Sequence, residues 1–114
     1  GAYSFNSRFG DDTAATNPEE LIAAAHAGCF SMALSAALGK AGHNPENIET
    51  KASVHLEKQG DAFAIPRIDL VTVARIPEIS DDEFQTIATA AKDNCPVSKV
   101  LAAAEITLDA KLES

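Results

Sequence analysis

Two cysteines are the residues best suited to carry chemistry in this chain of 114 residues. Cys29 and Cys95 lie 66 positions apart. If the fold brings them together they make a redox pair, because a peroxide can oxidise one thiol to a sulfenic acid and the other can then condense with it to a disulfide. Free cysteine is also among the most often buried residue types, so two unrelated buried thiols are the alternative. The spacing alone does not decide between these interpretations.

Cys29 falls near the middle of eighteen successive residues without a formal charge, from Leu21 to Leu38. Burial in such a segment raises the pKa of a thiol and keeps it unreactive unless a cation stabilises the thiolate. No Lys or Arg lies within two helical turns of Cys29 on its own segment, so the cation must come from elsewhere in the chain or from another subunit. Arg8 is the candidate because it is the one cation before this segment, and a solvated surface arginine is the alternative.

Cys95 stands in a different setting, directly before Pro96 at a predicted helix start. Free backbone N–H groups and the positive end of the helix dipole favour a thiolate there. The residues alone therefore predict the lower pKa for Cys95. An ordinary N-cap cysteine is the alternative.

Two further residues share the predicted helix with Cys29. Glu19 lies nearly three turns before Cys29, so it cannot touch the thiol directly but can hold a long arginine that does; an acid that only complements the helix dipole is the alternative. His26 lies three residues before Cys29 on the same face, where it could serve as a base or as half of a metal site. No second His/Cys cluster has ligand spacing, so a core or interface histidine is the default.

The element that must position Cys29 is a long helix over residues 18–40. Asn17 is the predicted N-cap, Pro18 occupies the first helical position, and Gly42 ends the helix. Eighteen uncharged residues are the lower limit for crossing about 30 Å of hydrocarbon. Because the segment lacks flanking aromatic anchors and Arg-rich ends, we expect a helix surrounded by protein and no membrane insertion.

The remaining elements follow from alternation and turn signals. An extended segment is predicted over residues 3–9 and a polar loop over 10–16, and strands over 51–58 and 63–76 are joined by a turn at 59–61. Pro66 indicates an edge position or a bulge in the second of these strands. A capping box at Ser80 opens a helix to about Lys92, a short helix runs from residue 96 to about 103, and a last strand covers 106–112. The predicted fold class is α+β, with the helices packed on an antiparallel-rich sheet.

Composition limits the possible partners. The apolar fraction is 46%, but 22 of these residues are Ala and only six are aromatic, so core volume is scarce and a second subunit that adds buried area is plausible. A formal charge of -8 without any basic run argues against a nucleic-acid role. No metal, flavin or nucleotide signature is present, so no cofactor is expected.

Three strings of the sequence closely resemble the OsmC/Ohr family. They are the segment from Tyr3 to Phe9, the helix from Asn17 through the run Ala24-Ala25-His26-Ala27-Gly28-Cys29-Phe30-Ser31-Met32, and the run Cys95-Pro96-Val97-Ser98-Lys99. The resemblance continues to the last strand. It implies a thiol-dependent peroxidase that prefers organic hydroperoxides, built as an intertwined homodimer around a long central helix.

The resemblance also implies roles for four residues. Cys29 matches the peroxidatic cysteine, Cys95 the resolving cysteine, Arg8 the arginine that stabilises the thiolate, and Glu19 the acid that positions this arginine. The order of attack comes from the resemblance, since the helix-dipole argument alone gives Cys95 the lower pKa. A dithiol reductant, either a lipoylated protein or a small dithiol, is expected to regenerate the pair.

The resemblance further predicts that residues 1–114 form a single domain lacking an N-terminal β segment that family members carry. A cytoplasmic location is expected, because the start of the chain shows neither a positively charged n-region nor a cleavage site. Two alternatives remain open. One is an inactive stress or binding protein of the same fold with structural cysteines, and the other is a cysteine hydrolase that uses Cys29 and His26.

Overall fold

The computed structural model describes residues 17–113. The extended segment predicted over residues 3–9, which includes Arg8, and the loop predicted over 10–16 lie outside the described residues. The elements in chain order are α1 (Pro18–Lys40), β1 (Asn47–Gln59), β2 (Ala62–Arg75), α2 (Asp81–Asn94), α3 (Pro96–Val100) and β3 (Glu105–Glu113). The α+β class is confirmed. β1 and β3 extend beyond their predicted limits, β2 begins and ends one residue earlier than predicted, and α3 ends three residues earlier.

Helix α1 begins and ends where the sequence predicts. The side chain of Asn17 accepts a hydrogen bond from the Glu20 N–H at 2.8 Å, which satisfies one of the free N–H groups of the first turn. At the other end Gly42 adopts φ +88°, a conformation that residues with a Cβ rarely take. The chain can then fold back so that the His43 N–H donates to the Leu38 carbonyl at 2.9 Å.

The sheet is mixed, with strand order β1-β2-β3. β1 and β2 form an antiparallel hairpin whose turn contains Gly60 at φ +65°. The register shifts between His55 and Glu57, opposite Pro66, which confirms the predicted bulge. β3 pairs with β2 in parallel because α2 and α3 carry the chain back across the sheet before it begins. The antiparallel pairing is the longer of the two.

The core lies between one face of the sheet and the helices. Alternate residues of β2 from Ile68 to Ala74 are buried, and α1 contributes a stripe at four-residue spacing. α2 contributes a second set of buried residues, spaced three or four positions apart. These helix residues are His26, Phe30, Leu34 and Leu38 of α1 and Phe84, Ala88 and Ala91 of α2. This packing holds α1 against the sheet. It also places the start of α3 beside the middle of α1.

Much of α1 outside this stripe is exposed in the single subunit. Met32 is 76% and Leu21 is 49% exposed, and the small residues between them face the same side. An 18-residue window of α1 has a mean hydropathy of 1.7, so by length and composition the helix is able to cross a membrane. A single such helix is weak evidence, because the core helix of a folded domain has the same composition. The expectation that protein surrounds α1 therefore stays a prediction about a second subunit.

Candidate active site

The two cysteines meet where α1 passes the junction of α2 and α3. The Sγ atoms of Cys29 and Cys95 are 2.9 Å apart. Cys95 ends α2 and caps α3 with an extended backbone (φ -61°, ψ 123°), the conformation that a following proline imposes. This kink turns its side chain toward α1. A disulfide bond is about 2.05 Å long, so little movement separates the dithiol from the disulfide.

The two sulfurs differ in how easily solvent reaches them. Cys95 is fully buried, whereas Cys29 is half-buried. Among the described residues Cys29 is therefore the more accessible of the two cysteines.

The pKa values of the two thiols shift in opposite directions. Hydrogen bonding with Cys95 is the main factor that raises the pKa of Cys29, and burial adds to it. Burial also opposes the ionisation of Cys95, but contacts with the Cys29 thiol, the N–H and hydroxyl of Ser98 and the Val97 N–H together lower the pKa of Cys95. The direction agrees with the lower pKa predicted for Cys95 from its position at a helix start.

After the first ionisation the two sulfurs share the one proton that remains. In the neutral pair the Cys95 S–H donates to the Cys29 sulfur. When Cys95 ionises, Cys29 becomes the donor. The first ionisation therefore belongs to the pair, and a proton transfer across the 2.9 Å contact would move the negative charge to Cys29, the less buried of the two residues.

A second polar contact lies beside the thiols. His26 is fully buried, and its Nε2 lies 2.7 Å from the Ser98 hydroxyl oxygen. Burial lowers the pKa of His26, which favours the neutral imidazole. Because the hydrogen bond goes to Ser98, His26 is not placed as the base of a Cys29 hydrolase. Among residues 17–113 no three His, Cys, Asp or Glu side chains are grouped so that they could hold a metal ion.

Glu19 is buried in the first turn of α1 despite its charge, at 9% exposure. Since Arg8 lies outside the described residues, the predicted pairing of Arg8 with Glu19 and with the Cys29 thiolate stays a prediction.

Ser98 is a residue to which sequence reasoning gave no role. Its signal was its position three residues after Cys95 in a predicted helix, a spacing that places two residues on one face.

An apolar cavity of about 240 Å³ opens between α1 and α3. Its wall on α1 includes Ala25, one helical turn before Cys29, and its wall on α3 includes Val97, two residues after Cys95. All its lining residues are apolar: Ile22, Ala25, Pro96, Val97, Val100 and Leu101. The cavity can therefore take a hydrocarbon group, and its residues Ala25 and Pro96 are the ones nearest in the chain to Cys29 and Cys95, which do not line it themselves.

Comparisons with known proteins agree on one family. A family model described as OsmC-like protein matches residues 10–111. The peroxiredoxin OsmC of Escherichia coli strain K12 is 53% identical over 112 residues, which is 98% of this chain and 77% of that protein. An organic hydroperoxide resistance protein-like sequence from Staphylococcus aureus strain USA300 is 34% identical over 89 residues, covering 77% of this chain and 63% of that protein.

Solved structures give the same result for the fold. The organic hydroperoxide resistance protein of Bacillus subtilis superimposes with a TM-score of 0.66 at 26% identity, covering 94% of this chain and 76% of the other. A putative organic hydroperoxide resistance protein from Vibrio cholerae, solved with captopril in one of its active sites, gives 0.71 at 26% identity, with coverages of 95% and 72%.

Proposed function

The chain belongs to the OsmC-like family, and from that membership together with the thiol pair we propose that it reduces organic hydroperoxides through Cys29 and Cys95. Relatives named peroxiredoxin and organic hydroperoxide resistance protein-like support a peroxidase-type oxidoreductase. The observation that carries the proposal is the contact between an accessible and a buried sulfur 2.9 Å apart.

In the first step the Cys29 thiolate attacks the terminal oxygen of the hydroperoxide. A sulfur–oxygen bond forms, the oxygen–oxygen bond breaks, and the alkoxide takes up the proton that Cys29 had lost and leaves as the alcohol. Sulfur is oxidised to the sulfenic acid by two electrons, which reduce the peroxide. Arg8, held by Glu19, is proposed to stabilise the thiolate and the developing charge on oxygen.

In the second step Cys95 attacks the sulfur of the Cys29 sulfenic acid. The disulfide bond forms, the sulfur–oxygen bond breaks, and hydroxide leaves as water with the proton from the Cys95 thiol. Full burial suits this role, because Cys95 needs to reach only its neighbour and is shielded from peroxide itself. A dithiol, from a lipoylated protein or a small molecule, then reduces the disulfide and restores both thiols.

The proposed preference for organic over inorganic peroxide rests on the apolar cavity between α1 and α3. Burying a hydrocarbon group contributes about 0.8 kcal/mol per CH₂, and hydrogen peroxide offers no such group. Replacing Val97 by Asp adds a charge to the cavity wall. It is expected to raise KM for a long-chain hydroperoxide more than for a short-chain one.

We propose that the protein forms an intertwined homodimer and that it is located in the cytoplasm. An intertwined homodimer would cover the exposed apolar side of α1 and place two sites at the interface. A reducing compartment, the cytoplasm, suits a thiol pair that a dithiol must regenerate.

The test is a single oxidation followed by mass spectrometry. Reduced protein is treated with one equivalent of cumene hydroperoxide, and its thiols are mapped. The proposal expects a Cys29–Cys95 disulfide in the parent protein, no peroxide consumption by Cys29→Ser, and one turnover in Cys95→Ser that stops at the sulfenic acid. Unmodified thiols in the parent protein would favour the alternative, an inactive stress or binding protein with structural cysteines.

A further inference from the structure

Helix α3 begins directly after Cys95, and little apolar packing holds this helix in place. It has five residues, too few for a helix that is stable on its own. Of these five residues Ser98 alone is buried, whereas Val100 is 83% exposed. Open space flanks α3 on two sides, since it borders the apolar cavity of about 240 Å³ toward α1 and a second cavity of about 280 Å³ toward α2 and β3. The position of α3, and with it that of Cys95, therefore depends on a small number of contacts.

The buried residue of α3 is hydrogen-bonded to a buried histidine of α1. The Ser98 hydroxyl oxygen lies 2.7 Å from Nε2 of His26, which is fully buried. The other ring nitrogen of His26, Nδ1, has no hydrogen-bond partner among residues 17–113. An unpaired polar atom in the interior is unfavourable, and each such group in a native structure calls for an explanation. The hydrogen bond that His26 makes to Ser98 supplies one.

The unpaired nitrogen indicates the direction of this hydrogen bond. A proton on Nδ1 would be a buried donor without an acceptor, and such donors are rarer than unpaired acceptors. The proton is therefore assigned to Nε2, which donates to the Ser98 oxygen. A glutamine at position 26 can replace this donor with its side-chain amide, whereas a leucine cannot.

This hydrogen bond and the thiol contact join the same two segments in one antiparallel register. His26 lies three residues before Cys29, and Ser98 lies three residues after Cys95. Three helical residues rise about 4.5 Å, so the two contacts follow one another along the line where α3 meets α1. A movement of α3 along α1 or away from it that separates the two sulfurs therefore also stretches the hydrogen bond between His26 and Ser98.

We propose that His26 and Ser98 are positioning residues that fix α3 on α1 and thereby hold the Cys95 sulfur against the Cys29 sulfur. The inference rests on the proposed function, in which Cys95 attacks the Cys29 sulfenic acid. The bonds that form and break are those given above, and neither His26 nor Ser98 gains or loses a proton in either step.

The thiols need this support because their own contact is weak. An S–H group is a weak hydrogen-bond donor and sulfur is a weak acceptor. Oxidation of Cys29 also places an oxygen on its sulfur, so the contact of the dithiol does not persist unchanged into the second step. The hydrogen bond from His26 to Ser98 contains neither reacting atom. It can therefore hold Cys95 in place both before and after the oxidation of Cys29.

The first experiment separates the two chemical steps. Reduced protein is mixed with one equivalent of cumene hydroperoxide, samples are quenched at timed intervals with dimedone, which traps the sulfenic acid, and the products are counted by mass spectrometry. In Ser98→Ala and His26→Leu, Cys29 should be oxidised at the rate of the parent protein, because it stays on α1. Closure of the disulfide should slow by up to about tenfold, which corresponds to 1.4 kcal/mol and to the loss of one hydrogen bond.

The second experiment measures the positioning of Cys95 without any peroxide. The dithiol is equilibrated with glutathione disulfide, whose S–S bond breaks as the Cys29–Cys95 bond forms and two glutathione thiols are released. In the disulfide form a covalent bond holds α3 in place, whereas in the dithiol form the hydrogen bond to Ser98 must do so. The equilibrium constant for disulfide formation should therefore fall by up to about tenfold in Ser98→Ala. A contact that stabilised both forms equally would leave this constant unchanged.

Matched variants show whether the hydrogen bond itself is responsible. Ser98→Thr keeps the hydroxyl and should behave like the parent protein, whereas Ser98→Val, of nearly the same shape, should behave like Ser98→Ala. His26→Gln keeps the donor and should also behave like the parent. The double variant of His26→Leu and Ser98→Ala should be no slower than either single variant, because both remove the same contact. The control Ser31→Ala loses a hydroxyl of α1 that bonds to Thr50 at 2.7 Å and should change neither measurement.

The outcomes separate the inference from the proposed function. The positioning role is wrong if Ser98→Ala closes its disulfide and equilibrates with glutathione as the parent does, or if Ser98→Thr and Ser98→Val behave alike. Thermal unfolding shows which variants are folded, and loss of folding in both Ser98→Ala and Ser98→Val would also overturn the inference, because the contact would then support the whole fold. If hydroperoxide leaves Cys29 unoxidised while the glutathione equilibrium shifts as expected, the proposed function fails and the positioning of Cys95 stands.

Discussion

Replacing Met32 by glutamate tests whether a second subunit covers α1. Met32 is 76% exposed in the single subunit, in the middle of a helix face composed of apolar and small residues. A single exposed apolar residue needs no explanation, but an uncharged face along a helix of 23 residues indicates a partner surface. In an isolated subunit this substitution should change the free energy of unfolding by less than about 0.5 kcal/mol.

A covered face gives a much larger effect. Burying a whole methionine side chain contributes about 1.5–3 kcal/mol, so burying the exposed three-quarters of Met32 contributes about 1–2 kcal/mol. A two-fold interface contains the residue twice, which gives about 2–4 kcal/mol per dimer. At 1.4 kcal/mol per factor of ten, the dissociation constant should rise about 30-fold to 700-fold, and the two buried carboxylates of the variant increase this further.

The assay is sedimentation velocity over a wide range of protein concentration. Ala90→Glu is the matched control, because it adds the same charge to the exposed side of α2. Leu34→Ala provides the contrast within the subunit: Leu34 is fully buried, so its truncation should lower the free energy of unfolding by about 2–5 kcal/mol at any protein concentration. A parent protein that sediments as a monomer throughout, or equal dissociation constants for Met32→Glu and Ala90→Glu, would refute the reasoning.

Three further predictions concern local features of the fold. Ser80→Ala removes the side chain that accepts the Glu83 N–H at 3.1 Å and should lower the free energy of unfolding by about 1 kcal/mol in chemical denaturation, whereas Ser80→Asp should retain it. Gly42→Ala places a Cβ at φ +88° and should lower the free energy of unfolding by about 1 kcal/mol. Gly39→Ala, in helical conformation with open space around it, should raise the free energy of unfolding by about the same amount. A change of the same sign in both variants would contradict this reasoning. Hydrogen bonds from Thr107 and His55 lower the pKa of Asp69. The stability that its carboxylate provides is therefore present above the ordinary pKa of aspartate and lost as pH falls through the lowered value, so the difference in Tm between the parent protein and Asp69→Asn should narrow in acid.

Local chemistry explains which parts of the fold the sequence predicts well. The Asn17 and Ser80 caps, the Gly42 turn and the Pro66 bulge each depend on a few neighbouring residues, and each lies where the pattern predicts. The direction of β3 is a different kind of property. It depends on α2 and α3 returning the chain across the sheet, and alternation of apolar residues is the same in parallel and antiparallel strands.

The site shows the same division between local and distant information. The position of Cys95 before Pro96 predicts its lower pKa, and the contacts around its sulfur agree. The approach of Cys29 to Cys95 spans 66 residues, and that of His26 to Ser98 spans 72. No spacing rule reaches across such separations. The resemblance implied the first contact and was silent on the second, because a motif records residue types and not hydrogen bonds.

The acidity of Cys95 and the proposed first attack by Cys29 are compatible because access and acidity are separate requirements. A nucleophile must be both ionised and reachable, and at full burial Cys95 meets only the first condition. The hydrogen bond between the sulfurs lets the pair meet the second condition, which is accessibility. Moving one proton by less than the 2.9 Å separation of the sulfurs places the thiolate on Cys29. A cation next to Cys29, the role proposed for Arg8, would stabilise that arrangement of the proton. Replacing Arg8 by Met should therefore slow the oxidation of Cys29 by hydroperoxide more than it slows the closure of the disulfide. Stopped-flow kinetics measures the two steps separately. An equal effect on both steps would mean that the sharing of the proton has no part in the reaction.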